Sequence, residues 1–445
     1  MNRFAKFLTS VVLALSVAGL SSAADFTVPH QYRGLDYPYN PGSPVYTKAP
    51  RGYRPFYVSH YGRHGSRFAY STLFYNQTYT LFHTAAEQGN LTPEGKGLAE
   101  RVFEAYPYLM QNVGLLSDKG REQHAGIAKR MYANFPEAFK DGAFVYAVSS
   151  NSMRSVMSMA AFGASLQACN PELHLKMEQS PAQLYCTMPR DKANFKNVDR
   201  RPLPDLTGEL ALNPFLYLCR KVDCDAIMRR WFIDIDAAYA SVCGPKWDQN
   251  MSQYQKTPLS DEQLQEARKG VLMWRLWVFA AGMVNQDFDF CFDDMFTLDE
   301  WKGLCKADVQ VAYKEHRNYL DNDCQVVMDI LEDCRGHVES GARGAKLRFG
   351  HDHVLWPVTA IFNIKGHGET PHTLEDVNKV YVGSNICMAA NLQFILYRNA
   401  KGGVLVKTLL NEQEVLLPCS DSVYCPWEVF EKYVQERVGL FPVLQ

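Results

Sequence analysis

The stretch Phe56-Tyr57-Val58-Ser59-His60-Tyr61-Gly62-Arg63-His64-Gly65-Ser66-Arg67 decides how this chain folds. Phe56-Tyr57-Val58 is a short apolar run of the kind that forms a strand buried on both faces. It leads into Gly62-Arg63-His64-Gly65, where the apolar character stops and glycine lets the backbone turn closely. Arginines on either side of a histidine put two planar donor forks beside an imidazole, a set matched to phosphate oxygens. Open α/β sheets bind ligands in loops at the carboxyl ends of their strands. The bland alternative is a surface basic loop in which His64 merely caps the strand, and the rest of the chain weighs against it.

Two further junctions follow the same plan. Phe144-Val145-Tyr146-Ala147-Val148 breaks at Ser149-Ser150-Asn151-Ser152 into a helix expected from about Met153 to Cys169, which is half of a βαβ unit. That turn offers backbone N–H groups to an anion, and Arg154 in the first helical turn can reach it. Lys346-Leu347-Arg348-Phe349-Gly350 runs into His351-Asp352-His353, which taken singly reads as a metal-ligand pair or a simple turn. The arginines of the other two turns would repel a cation, so no metal is expected. His60 and His353 flank the motifs and read either as supports behind the site residues or, the favoured reading, as strand-end packing. His124 on its helix is expected to be structural, and the cluster Trp274-Arg275-Leu276-Trp277-Val278-Phe279 at helical spacing to be core rather than a binding box.

The remaining punctuation sets the architecture. Thr92 with Pro93 starts one helix and Ser117 another, running through Met131. Ser260-Asp261-Glu262-Gln263 and Thr297-Leu298-Asp299-Glu300 fit the capping box within a mostly helical stretch from about Cys169 to Gly341. Leu392–Arg398 and Val404–Leu410 flank Asn399-Ala400-Lys401-Gly402-Gly403 as a hairpin, and Pro426 opens a last helix to about Arg437. The expected class is α/β, a sheet flanked by helices with an inserted, mostly helical domain. The bounds are 25–168 plus 342–445 for the core and 169–341 for the insert.

The chain has 445 residues and a near-balanced charge, 46 basic against 48 acidic. That balance disfavours nucleic acid as a partner. Arg3 and Lys6, the apolar run Phe7–Leu20 and Ser21-Ser22-Ala23-Ala24 form the three parts of a secretory signal, 1–24. Taking Arg3 and Lys6 from the 46 basic residues leaves 44 against 48 acidic ones after cleavage. No later stretch is long and apolar enough to cross a bilayer. Twelve cysteines, an even number with no C-x-x-C pair, favour disulfides in an exported chain over zinc or redox sites. Cys219/Cys224 and Cys419/Cys425 are close enough along the chain to be bridged.

Together, Arg63-His64-Gly65-Ser66-Arg67, Arg154 and His351-Asp352 resemble the histidine acid phosphatases, the branch that includes phytases and inositol polyphosphate phosphatases. Leu116-Ser117-Asp118-Lys119-Gly120-Arg121-Glu122-Gln123-His124 is similar to that family's helix-opening segment. Leu409-Leu410-Asn411-Glu412, Leu417-Pro418-Cys419 and Cys425-Pro426 look like its closing hairpin and helix. The lead-in Tyr57-Val58-Ser59-His60-Tyr61-Gly62 is most similar to bacterial multiple inositol polyphosphate phosphatases. Those usually carry His-Ala-Glu where this chain has His351-Asp352-His353, the commoner acid phosphatase pattern being His-Asp.

The resemblance implies an exported phosphomonoesterase, needing no cofactor, in which His64 is the nucleophile and Asp352 the proton donor. Arg63, Arg67, Arg154 and His351 would hold the phosphate, and the substrate would be a small phosphomonoester, above all an inositol polyphosphate. Lys48, Arg51 and Arg54 are candidates for its additional phosphates, against the plain reading of a solvated basic arm. The rival functions are a broad acid phosphatase on sugar, glycerate or nucleotide phosphates and a non-catalytic phosphate-ester binder. A binder would need neither His64 nor Asp352.

Overall fold

The strands are β1 (Arg54–Arg63), β2 (Phe144–Ser149), β3 (His174–Glu178), β4 (Gly344–Gly350), β5 (Asn391–Arg398), β6 (Val404–Leu410), β7 (Gln413–Val415) and β8 (Tyr424–Pro426). They belong to a computed structural model that describes residues 28–440 apart from 141, 190–206, 212, 249–257, 287 and 289. The expected signal segment 1–24 lies outside the described residues. The strand order is β3-β2-β4-β1-β5-β6-β7, with β8 also pairing β6. β2, β4 and β1 run parallel in register, so that Ser149 stands beside Phe349 and Arg63 beside Gly350. β5 is antiparallel to β1. One edge of the sheet therefore carries the ends of all three strands that lead into the charged turns.

Helices α1 (Thr72–Glu87), α2 (Pro93–Gln111), α3 (Asp118–Asn134) and α4 (Met153–Cys169) begin where the sequence marks them. The Thr92 and Ser117 side chains accept from the N–H groups of Gly95 and Gly120 as N-caps. After α5 (Leu184–Thr187) come α6 (Pro214–Lys221), α7 (Cys224–Trp231), α8 (Ile235–Val242), α9 (Asp261–Gly282) and α10 (Leu298–His316). Both capping boxes expected for α9 and α10 form. Next are α11 (Leu320–Ser340), α12 (Asp352–Ile361), α13 (Leu374–Val380) and α14 (Trp427–Gly439).

β1 alternates its side chains between two helical layers. Tyr57 and Ser59 donate to the Asp333 carboxylate on α11, whereas His60 lies 5.5 Å from the Phe162 ring on α4. Burial on both faces is why the strand tolerates no solvated position after Pro55. A second apolar cluster holds the helices away from the sheet, with Trp231, Trp277 and Trp301 fully buried in it. Its members differ from the 169–341 insert read from sequence. α1 and α2 pack into this helical cluster, while β3 joins the sheet and α11 packs into the sheet's core. α10 belongs to both: Trp301 and Leu304 face the helical cluster, Val309 and Ala312 the sheet's core.

Two histidines close the core behind the charged edge. His60 and His124 lie 5.4 and 5.6 Å from the Phe349 ring, and burial pushes the imidazoles of both down to about 3. Packing is thus their role, as expected. Their folded values lie below the unfolded one near 6.5, so the unfolded chain binds protons first as pH falls. Each histidine should remove up to about 1.4 kcal/mol of stability per pH unit between about 6.5 and 3. Urea midpoints should fall steeply from pH 7 to pH 4.5, and less so in His124→Leu. An unchanged slope in that variant would assign the acid loss to other groups.

Candidate active site

The edge of the sheet holds the first turn by its backbone. Arg63 N–H donates to Ala390 O, His64 N–H to Gly350 O, and Ala389 N–H to His64 O, between 2.8 and 3.0 Å. The loop then passes against the start of α3 so closely that a Cβ on Gly65 would lie 2.6 Å from Gly120 O. Ser66 is tied to the same helix, its N–H donating to Gln123 Oε1 at 2.8 Å. The loop's geometry is therefore set before any ligand arrives.

That geometry fixes the His64 tautomer. Nδ1 stands 2.9 Å from Gly65 O, a carbonyl that can only accept, so Nδ1 carries the proton and Nε2 the lone pair. Burial first, then the charges of Arg154, Arg63 and Arg67, hold the ring well below the ordinary imidazole range. Both effects favour the neutral ring with its lone pair on Nε2.

Arg63 is fully buried and its Nη1 donates to Leu35 O at 2.6 Å and Ile386 O at 2.7 Å. Arg67 donates to Phe68 O. Arg154, near the start of α4, is lowered to about 10 by burial and by its neighbour Arg67. Among the described residues, Arg63 Nε and Nη2, Arg67 Nε and Arg154 Nε are buried without a hydrogen-bond partner. Arg63 Nη2 has only the Asp352 carboxylate within ion-pair distance, and the three Nε donors are open to a further acceptor.

Asp352 opens α12, and its Oδ2 lies 3.1 Å from Arg63 Nη2 as an ion pair without hydrogen-bond alignment. Burial pushes its carboxyl up, but Arg63 and the His353 hydrogen bond outweigh that and hold it well below the usual range. His351, the remaining expected phosphate ligand, is not among the cavity-lining residues, but its ring meets the His64 ring edge-on at 5.5 Å. Its Nε2 pairs with Ser150 Oγ at 2.9 Å, and Arg154 Nη2 stands 3.4 Å from its Nδ1. In that state it orients Arg154.

A cavity of about 390 Å³ opens over this floor, lined by Arg63, His64, Arg67, Arg154 and Asp352 but not His351. Its walls are Tyr70 and Phe74 from the α1 side, Trp274, Val278 and Phe279 from α9, and Val311, Glu315 and His316 from α10. Trp274 and Phe279 thus serve core and cavity together, and His353 lines the cavity rather than only packing. Asp36 and Asp308 also face it; burial raises both carboxyls, that of Asp308 to about 7, against the Trp274 Nε1–H that donates to it. Nothing local in the sequence marks these two aspartates. Arg54 begins β1 with Arg51 just before it, about 30 Å from the strand's carboxyl end by strand rise, while Lys48 follows Thr47, whose carbonyl accepts from Lys407 of β6. None lines the cavity, and Arg54 pairs with Glu137. Among the described residues no group of three His, Cys, Asp or Glu side chains is placed to hold a metal ion.

The strand order and its capping helices are the fold of the histidine acid phosphatases. Multiple inositol polyphosphate phosphatase from Bifidobacterium longum, solved with inositol hexasulfate, matches with a TM-score of 0.67 at 20% identity, over 89% of this chain and 96% of that one. Phytase from D. castellii matches at 0.62 and 15% identity, over 93% and 86%. Hafnia alvei phytase without ligand matches at 0.51 and 14% identity, over 89% and 100%. No protein-family model matches the chain, and no match is found among curated proteins.

The unpartnered guanidinium groups make a binding prediction. Orthophosphate at a hundredfold excess over its Kd should stabilise the fold by about 2.7 kcal/mol, read as a rise in Tm. Chloride at equal ionic strength should not, and Arg154→Gln should shrink the rise. Equal shifts with phosphate and chloride would remove the anion site.

Proposed function

We propose that the protein hydrolyses phosphomonoesters through a phosphohistidine on His64. The observation that carries this reading is His64, with its lone pair on Nε2, beside the buried Nε donors of Arg63, Arg67 and Arg154, which have no hydrogen-bond partner. Arg63, Arg67 and Arg154 would hold the three non-bridging oxygens while charge redistributes. His64 Nε2 attacks phosphorus and the ester P–O bond breaks, the leaving oxygen taking a proton from Asp352. Water then attacks the phosphohistidine, the P–N bond breaks, and the water proton passes to Asp352. Alcohol and phosphate are the products.

The resting carboxylate of Asp352 is paired with Arg63, so its proton must come with, or after, the phosphate that draws Arg63 away. An acidic optimum follows. Inositol polyphosphates are the proposed substrates, supported by the solved relative that holds inositol hexasulfate and by a cavity of ordinary ligand size. A second reading, a small monoester with little further charge, draws on the position of Asp36, Asp308 and Glu315 on the cavity wall.

His64→Ala should fold and lose turnover, while rapid quenching of the wild type should trap a phosphoenzyme stable in base and lost in acid. Asp352→Asn should lose about 10²–10⁴-fold on alkyl phosphates but still form phosphoenzyme from p-nitrophenyl phosphate. Activity should persist after chelation, since arginines rather than carboxylates line the floor. Normal turnover by His64→Ala would end the phosphohistidine reading. Equal kcat/KM on inositol hexakisphosphate and glycerol phosphate would favour the second substrate reading.

We infer export from the segment 1–24, and with it oxidation of cysteine pairs. All twelve cysteines are free thiols in the structure. Cys419 Sγ lies 3.8 Å from Cys425 Sγ, so this pair could join with little backbone movement, and the Cys219 thiol neighbours that of Cys224. Thiol titration of the exported, denatured, unreduced protein should find fewer than eight free thiols; eight or more would reject the disulfide framework.

A further inference from the structure

The mechanism above gives no role to His353, which lines the cavity beside Asp352. His353, second in α12, has its ring stacked parallel on His351 at 4.7 Å and 10°. Its Nδ1 lies 3.4 Å from Asp352 Oδ1, the oxygen turned away from Arg63. His316 of α10 meets its ring edge-on at 6.0 Å, and the Tyr381 hydroxyl donates to His316 Nδ1 at 2.8 Å. Tyr319, from the short turn Arg317–Tyr319, lies 6.2 Å away. The charged and titratable groups around His353 are the Asp352 carboxylate, which attracts a proton, and His351, His316 and Arg63, which repel one when charged; Glu315 lines the same cavity.

Asp352 has a difficulty that His353 can solve. An acid held as a carboxylate by an arginine is a poor proton store, whereas imidazole is the side chain whose ordinary titration lies between pH 5 and 8. We propose that His353 supplies the proton that Asp352 delivers to the leaving oxygen. The inference rests on the phosphohistidine reading. In the resting pair His353 is the imidazolium and Asp352 the carboxylate. When the phosphate dianion draws on Arg63, the proton moves from His353 Nδ1 to Asp352 Oδ1. It passes to the leaving oxygen as the P–O bond breaks, leaving His353 neutral. In the second half, the proton of the attacking water enters at Asp352 and returns to His353 Nδ1. One proton cycles and no electrons are exchanged. Because His353 acts through Asp352, it is a positioning and proton-supplying residue rather than one that touches the substrate.

The pH profile tests this, because a purely structural role would not move it. His353→Gln keeps an N–H near Asp352 but cannot titrate. On β-glycerol phosphate its descending kcat/KM limb should shift at least about one pH unit lower, with a loss at pH 6.5 of about 10- to 100-fold. On p-nitrophenyl phosphate, whose phenolate needs little protonation, the loss should be at least about tenfold smaller. His353→Asn should show the same contrast, and a phosphate-induced rise in Tm should verify the fold of each variant. An alkyl-phosphate limb unmoved in the folded variants, or equal losses on both esters, overturns the relay. If the wild type forms no phosphoenzyme at His64, the underlying reading has failed instead.

Discussion

Arg63 is the charge around which the rest of the site is arranged. It ends β1 in full burial, and its Nη1 is committed to the carbonyls of Leu35 and Ile386. A guanidinium cannot lose its proton, and an unneutralised buried cation costs several kcal/mol. Its remaining edge must therefore meet an anion. In the resting protein that anion is Asp352, 3.1 Å away. A bound phosphate would compete for the same edge. On the proposed mechanism, that competition would couple phosphate binding to the proton affinity of Asp352.

The sheet creates that coupling by register. β2, β4 and β1 are parallel and end together, so turns far apart along the chain project from one edge. The two hydrophobic clusters meet above that edge, and α10 runs through both. Their junction leaves a cavity whose floor is cationic and whose walls are aromatic. Apolar walls thin the water around the floor, so charge interactions there act at longer range than in solvent. Asp36, Asp308 and Glu315 also line this cavity, and burial raises the carboxyls of the first two.

The strands, the helix starts and the charged turns were legible in the sequence because local chemistry specifies them. An apolar run ending at glycine and arginine, a Ser or Thr cap with Gln or Glu three residues later, and a glycine-rich hairpin each act over a few residues. Capping at Thr92, Ser117, Ser260 and Thr297 accordingly forms as read. His64 and Asp352 were legible through motif resemblance, not through spacing, since they come from different strands.

Tertiary structure alone decided how distant elements share space. The arm cations Lys48, Arg51 and Arg54 precede the motif closely along the chain, but none lines the cavity, and the ten-residue strand β1 separates Arg54 from it. α1 and α2 join the helical cluster although they precede the expected insert, because their apolar faces find partners on α7–α9. His351 stands behind Arg154 because Ser150 takes its Nε2, and His353 faces the cavity because α12 starts immediately at Asp352. Asp36 and Asp308 become cavity residues only when the arm before β1 lies against α10. Each of these outcomes depends on long-range packing, which residue types and short spacings do not encode.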